Sequence, residues 1–331
     1  MIKCFATSPM RRRLLAALSV LPLARTVGAQ DGATTYPNRT VRIIVPFGAG
    51  GGTDYFARSL AQQLSTRLGQ SFVVDNRLGA GGSVGAEVVQ HAPADGYTLL
   101  FTSNSFTVNA VMSNVPYDAV TDFVPVVHYV NAPLIVVVNP TLPVQTMDEL
   151  VAYAKANPGK LFFGSSGVGG IAHLAVEDFM LKTGTKMTHV PYKGIAFANT
   201  ALMTNEVQVV FTDTGAVAPQ IYAGQVRALA VGGRQRFKQL PAVPTAAEAG
   251  MPWLKLDIWY GLLAPRGTPP AIVDKLNGAT AAALRSPELV AALATRFADP
   301  VATSAQTFAA TVKSDVETWK QFGQQTHLHL N

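Results

Sequence analysis

Cysteine is almost absent from this chain: Cys4 is the one cysteine among 331 residues. It stands in a segment expected to be removed, so the mature protein can form no disulfide and offers no thiolate nucleophile or ligand. It also lies outside any lipobox-like context, which argues against a lipid anchor. Long apolar runs are missing too. Residues 14–24 make a run about half the roughly 20 residues that a membrane-spanning helix needs, and no later segment reaches that length without a charge or a cluster of Gly, Pro and polar residues. Charge is scarce, at 14%. Lys3, Arg11, Arg12, Arg13 and Arg25 fall in the first 29 residues with no acid beside them. Removing these five from 26 basic residues leaves 21 against 20 acidic, a net charge of +1 in place of +6. Without a clustered basic surplus there is nothing to neutralise phosphates, and nucleic acid is not expected as a partner.

What is present begins with an export signal. Three arginines precede the apolar run, and Val27-Gly28-Ala29 supplies the small residues that a signal peptidase reads. Residues 1–29 are therefore expected to be a signal peptide cleaved near Ala29, and the mature protein periplasmic; an uncleaved anchor is the alternative. The remaining chain of about 300 residues exceeds what one core usually serves, so two lobes are expected.

Short β-rich runs alternate with helical patterns, which predicts an α/β protein with parallel sheets covered by helices on both faces. The first half reads as strand 41–47, helix 54–68, strand 72–75, helix 84–91 and strand 97–102. Two apolar runs, 123–130 and 134–139, are split by Pro133 and suggest a crossover between lobes. A second set follows: helix 147–156, strand 161–164, helix 171–182, strand 188–192, helix 196–203, and strands 207–212 and 227–231. Strand 259–264 is the expected return crossing. Helices at 271–284, from Pro287, and at 307–326 close the chain. Two lobes joined by two crossings make a hinged clamshell.

Three loops carry the chemistry. "VPFGAGGGTDYFARSL" (45–60), "NRLGAGGSVGAEVV" (76–89) and "FGSSGVGGIAHLAVEDF" (163–179) each read as strand, small-residue turn, helix. Such a turn exposes unpaired backbone N–H groups at the positive end of a helix dipole, and its natural guest is an anion. A dinucleotide is a poor fit, because the third glycine of G-x-G-x-x-G falls at Thr53 and no P-loop lysine follows. Gly81-Gly82-Ser83-Val84-Gly85 satisfies G-x-S-x-G, but Asn76 to Gly82 separate Ser83 from the strand, and no histidine is obviously paired with it: His327 and His329 lie in the tail and His91 ends a surface helix. An exported serine hydrolase using Ser83 remains an alternative. His173 and Glu177 share a helix face, yet two ligands fall short of a metal site, and neither metal nor cofactor is expected.

From Tyr36 to at least Leu284 the chain resembles the Bug-type extracytoplasmic receptors, the substrate-binding components of tripartite tricarboxylate transporters. The resemblance rests on "YPNRTVRIIVPFGAGGGTDYFAR", "ADGYTLLFTSN", "ANPGKLFFGSSGVGGIAHLA", "HVPYKG", "LPAVPTAAEAGMP" and "WYGLLAPRGTP", in order along the chain. It implies a two-lobe, type II periplasmic-binding-protein fold closing over a small organic carboxylate, with residues 36–131 and 259–331 as lobe 1 and 132–258 as lobe 2. Membrane transporter subunits are the implied partners of a monomeric receptor; a ligand sensor serving a signalling partner is an alternative. Carried onto this sequence, the first-lobe cradle is Phe47, Gly48, Ala49, Gly50, Gly51 and Thr53, with Asp54 at the helix start and Ser103 and Asn104 after the third strand. The second lobe contributes Gly164, Ser165, Ser166, Gly167, His173, Tyr192, Lys193, Thr212 and Asp213. Gly170, Phe197 and Gln208 depart from the residues frequent in the family and are expected to alter the ligand's shape or polarity.

Overall fold

The computed structural model describes residues 35–233 and 235–326. The expected signal segment with Cys4, and His327 and His329, lie outside the described residues. The chain runs β1 (Val41–Val45), α1 (Gly52–Leu68), β2 (Phe72–Asn76), α2 (Ser83–Gln90), β3 (Thr98–Ser103), α3 (Ser105–Met112) and β4 (Phe123–Val138). It continues through α4 (Met147–Ala156), β5 (Phe162–Ser165), α5 (Ile171–Thr183), β6 (Thr188–Pro191), α6 (Ile195–Met203), β7 (Val209–Asp213), α7 (Thr214–Tyr222) and β8 (Arg227–Val231). It ends with β9 (Asp257–Pro265), α8 (Pro270–Ala283), α9 (Pro287–Ala294), β10 (Asp299–Pro300) and α10 (Ala305–Thr326).

The sheet is mixed, not parallel throughout. In the first lobe β2, β1 and β3 are parallel, and β9 and then β4 join antiparallel to their neighbours. In the second lobe the far end of β4 lies between β8 and β7, antiparallel to both, and β7, β5 and β6 continue in parallel. The returning crossings cause the difference, since β4 and β9 run between lobes in opposite senses.

Pro133 does not divide β4, contrary to the pattern read from sequence. A proline removes one ladder donor, and here the gap falls where the strand changes partners. Pairing with β9 ends at Pro133 opposite Asp257, and pairing with β7 starts at Leu134 opposite Asp213. The missing N–H is thus never called upon. At this hand-over the Leu134 N–H donates to the Leu256 carbonyl at 2.6 Å and the Leu134 carbonyl accepts from Gly232 N–H at 2.8 Å, so the two crossings lie side by side.

Two helices were not legible in the sequence. α3 is buried on most of its faces, so it lacks an amphipathic stripe. α7 contains Gly215 and Pro219, both helix-breaking signals. Proline at 219 leaves the Gly215 carbonyl without its usual intrahelical donor, and the Arg296 guanidinium supplies one at 2.9 Å. Other ends follow their signals: Ser286 caps α9 by accepting from Leu289 N–H, with Pro287 in the first turn, and Gly69 closes α1 in the left-handed region.

The core is densely filled where β9, β4 and α10 meet. Gly261 on β9 faces Phe308, and a Cβ there would stand 2.3 Å from Phe308 Cζ and 2.9 Å from the Val127 carbonyl oxygen. Both neighbours are buried and β4 cannot move independently of the crossing. Gly261→Ala is therefore expected to lower the unfolding free energy by about 1–3 kcal/mol through overpacking. Urea denaturation checks this; an unchanged midpoint would show that Phe308 has room to yield.

Candidate functional site

The first glycine loop brings the start of α1 to the cleft and hides its own charge behind it. Gly50 N–H donates to Asp54 Oδ2 at 3.1 Å, and the same carboxylate accepts from Arg58 Nε at 3.0 Å and Asn76 Nδ2 at 3.0 Å. Asn76 Nδ2 also donates to the Phe47 carbonyl at 2.9 Å, fastening the loop to β2. Burial pushes the Asp54 carboxyl up, but the donors from Arg58, Asn76 and Gly50 outweigh it and hold the group below its ordinary value. Asp54 thus braces the turn from behind and does not line the cavity. Ala49 and Gly50 are exposed on the outside of the same loop.

Between the lobes lies a cavity with about 470 Å³ of empty space, part of it open to solvent. Its walls take Gly52 and Thr53 from the first turn of α1, Ser105 from α3, Ile171 and Ala172 from α5 and Ile195 from α6. Asp213, which caps α7 by accepting from Ala216 N–H at 2.9 Å, completes the ring. Four helices, α1, α3, α5 and α6, therefore begin at one space and turn the positive ends of their dipoles toward it, while the first turn of α7 is already capped by the Asp213 carboxylate. Among the described lining residues there is no lysine, arginine or histidine. The apolar remainder is Phe47, Leu134, Ile171, Ala172, Ile195 and Ile258.

Of the residues expected from sequence, Phe47, Gly48, Gly51, Thr53, Ser103, Ser166 and Asp213 line this inner cavity. Gly167, Tyr192 and Lys193 line an outer cleft that shares Phe47 and Ser166 with it. Tyr192 turns its hydroxyl to Glu206 at 2.9 Å. Asn104 is buried below the cavity and donates to the Asp257 carbonyl at 3.2 Å. Thr212 is fully buried within β7. Gly164 lies under α6, where a Cβ would stand 3.2 Å from Ala198 Cβ. Gln208 is remote from the cleft, its Oε1 accepting from Phe162 N–H at 3.0 Å. Gly170, by contrast, sits at the N-cap of α5, where a Cβ would stand 2.8 Å from Ser166 Oγ and a side chain would displace that hydroxyl.

Ser165 and His173 form the rear support of the second-lobe loop. The buried Ser165 hydroxyl lies 2.7 Å from His189 Nε2 and 3.1 Å from Gly167 N–H, which donates to it. His173 accepts from Gly169 N–H at its Nδ1, 3.3 Å away, which places the ring proton on Nε2, facing Glu177 at 3.3 Å. The two imidazoles stack at 3.9 Å between centroids. Among the described residues no group of three or more His, Cys, Asp or Glu could hold a metal ion. Ser83 has no relay either, because its hydroxyl donates to the Ala80 carbonyl at 3.0 Å.

Gly52, Ser105, Leu134, Ile171, Ala172, Ile195, Ile258 and Tyr260 line the cavity without having been singled out. Tyr260 stood inside the quoted "WYG" block. Leu134 and Ile258 come from the crossings, whose side of approach only the folded topology fixes.

A family model described as tripartite tricarboxylate transporter family receptor matches residues 56–328. The chain belongs to this family. Protein BugT of Bordetella pertussis is 38% identical over 310 residues, covering 93% of this chain and 95% of BugT. The solved structure of R. palustris Rpa4515 with adipate is 37% identical with a TM-score of 0.85, covering 89% of this chain and 99% of that one. MatC (Rpa3494) from Rhodopseudomonas palustris with bound malate is 30% identical with a TM-score of 0.82, covering 86% and 99%. These relatives are periplasmic solute receptors, not enzymes, and the two-lobe fold is theirs.

The stacked histidines give the loop a pH dependence. Burial, reinforced by His173, pushes the His189 imidazole down to about 3 from an ordinary 6.5. The unfolded chain therefore takes up a proton near 6.5 that the folded chain refuses, and His189 costs stability as pH falls from about 6.5 toward 3. His189→Gln removes that proton. Urea midpoints of wild type and variant measured from about pH 7.5 to about 5, above most carboxylate titrations, are expected to show a steeper decline for wild type. Parallel curves would mean that His189 is protonated in place. His128, also pushed down by burial, is common to both and cancels.

Proposed function

We propose that this chain captures a small organic carboxylate in the interlobe cavity and delivers it to the membrane subunits of a tripartite tricarboxylate-type transporter. The observation that carries this is the convergence of the N-termini of α1, α3, α5 and α6 on a space lined by no basic side chain. Rpa4515 with adipate and MatC with malate, both similar over most of this chain, support a carboxylate as the ligand. In this reading the amides of Gly48, Gly51, Gly52 and Thr53 and that of Ala172 in the first turn of α5 hold the anion, with Ser103, Ser105 and Ser166 as hydroxyl donors. Tyr192 and Lys193 guard the outer cleft. The receptor works as a periplasmic monomer after cleavage near Ala29.

The magnitudes suffice without a cation. Micromolar affinity corresponds to about 8 kcal/mol. Charge-assisted hydrogen bonds contribute roughly 1.5–3 kcal/mol each, and a helix terminus about 0.3–1. Four to six donors supply about 6–18 kcal/mol, and with helix termini and apolar walls the upper part of that range covers the requirement together with an association cost of about 4 kcal/mol or more.

Closure is what assembles the site, and Gly51 tests it. A Cβ at Gly51 would lie 3.1 Å from Ile195 Cγ2 across the cleft, so Gly51→Val keeps the lobes apart. A dicarboxylate such as adipate or malate at 100 times its Kd stabilises a receptor by about 2.7 kcal/mol, a rise in Tm of about 5 °C or more. Thermal scans are expected to show that rise in wild type and none in Gly51→Val, which still unfolds cooperatively. A screen in which only neutral or cationic solutes shift the wild type would refute the carboxylate assignment.

A further inference from the structure

Against the donors that surround it, one corner of the cavity offers acceptors alone. Asp213 holds the only carboxyl among the described lining residues and is 3% exposed. Its Oδ1 accepts from Ala216 N–H and its Oδ2 from the Tyr260 hydroxyl, each at 2.9 Å. Both oxygens thus face donors, the pattern of an ionised carboxylate, although burial pushes the group up and only partly yields to Tyr260, Ala216 and Arg296. The Gly215 N–H also faces the carboxyl, so its four acceptor positions meet three donors and one stays open, as does a lone pair of the Tyr260 oxygen once its proton is committed. The pair presses on the first residue of α1: a Cβ at Gly52 would stand 2.2 Å from Asp213 Oδ2 and 2.7 Å from the Tyr260 oxygen. The acid of the second lobe and the phenol of β9 therefore meet at the place where a ligand lies against α1.

We propose that Asp213 and Tyr260 are the specificity-determining pair of the cleft, an acceptor subsite that selects a ligand carrying a hydroxyl or ammonium donor besides its carboxylate and disfavours a second carboxylate. This rests on the carboxylate reading above. A second carboxylate placed there meets the negative charge of a buried carboxylate, where like charges repel more strongly than at the surface. A donor instead fills lone pairs that are otherwise left bare when the lobes close. The α7 N-terminus and Arg296, bonded to the Gly215 carbonyl, hold the Asp213 charge in place from behind.

Matched ligand series decide the matter. Calorimetry at about pH 7.5 would use, at three, four and six carbons, the plain monocarboxylate, its ω-hydroxy and ω-amino derivatives, and the dicarboxylate. Wild type is expected to bind the hydroxy or amino acid of the best-fitting length at least about tenfold more tightly than the dicarboxylate of that length. Which of the two wins identifies the donor. Asp213→Asn, which can still cap α7, is expected to weaken the donor-bearing ligand and strengthen the dicarboxylate, each by about tenfold or more, inverting the order. If that variant does not fold, Tyr260→Phe serves, with a loss confined to the donor-bearing ligand. A wild type that prefers the dicarboxylate, or a folded variant with an unchanged order, overturns the subsite and leaves the carboxylate receptor standing. Binding of none of the series overturns both.

Discussion

The site depends on one constraint: the first amides of a helix have no partner within it. A single helix start is a weak attractant, worth about 0.3–1 kcal/mol to a nearby charge. Here β-strands from both lobes end at one level, and the starts of α1, α3, α5 and α6 fall on the rim of a single cavity with α7 beside them. The strands do the aiming, since each helix begins where its strand leaves the sheet. An anion placed there receives donors that were already fixed by the fold, with no long side chain to immobilise.

Such a site requires backbone to approach backbone, and this explains where small residues are unavoidable. Gly48 is bounded by the Lys193 carbonyl, 3.1 Å from where a Cβ would be, and Gly52 by Asp213 and Tyr260. The Ile171 N–H donates to Ser105 Oγ at 2.9 Å, so one second-lobe amide is satisfied by the first lobe itself. That bond and the one between Tyr260 and Asp213 link α3 and β9 to α5 and β7. The closed arrangement is therefore held in part by hydrogen bonds between the lobes themselves.

The sequence made the strand-helix alternation and the glycine turns visible because both follow from local chemistry. The family resemblance led further, to Ser103 and Asp213, which end their strands, and to Ser166, which follows one. Asp54 shows the limit. An acid in the first turn of a helix beside a glycine loop has the same sequence signature whether it faces the cleft or braces the loop, and Arg58 and Asn76 decide for the brace. Asp213 has the same local character and faces inward. Likewise, Ser105 was hidden because α3 has no amphipathic stripe, and Leu134 because the fate of Pro133 depended on a change of strand partners. Those outcomes are set by residues more than a hundred positions away, as with Leu134 and Leu256.

The crossings explain why a rigid sheet can serve a moving site. β4 is one continuous strand through both lobes, yet at Pro133 and Leu134 it exchanges β9 for β7, so no single ladder spans the hand-over. Bending there strains few sheet bonds, while on either side the strand is tied into its own lobe. Leu134 and Ile258, on the two crossings, also form part of the cavity wall. The same two segments thus connect the lobes and, with Leu134 and Ile258 already buried, wall the cavity between them.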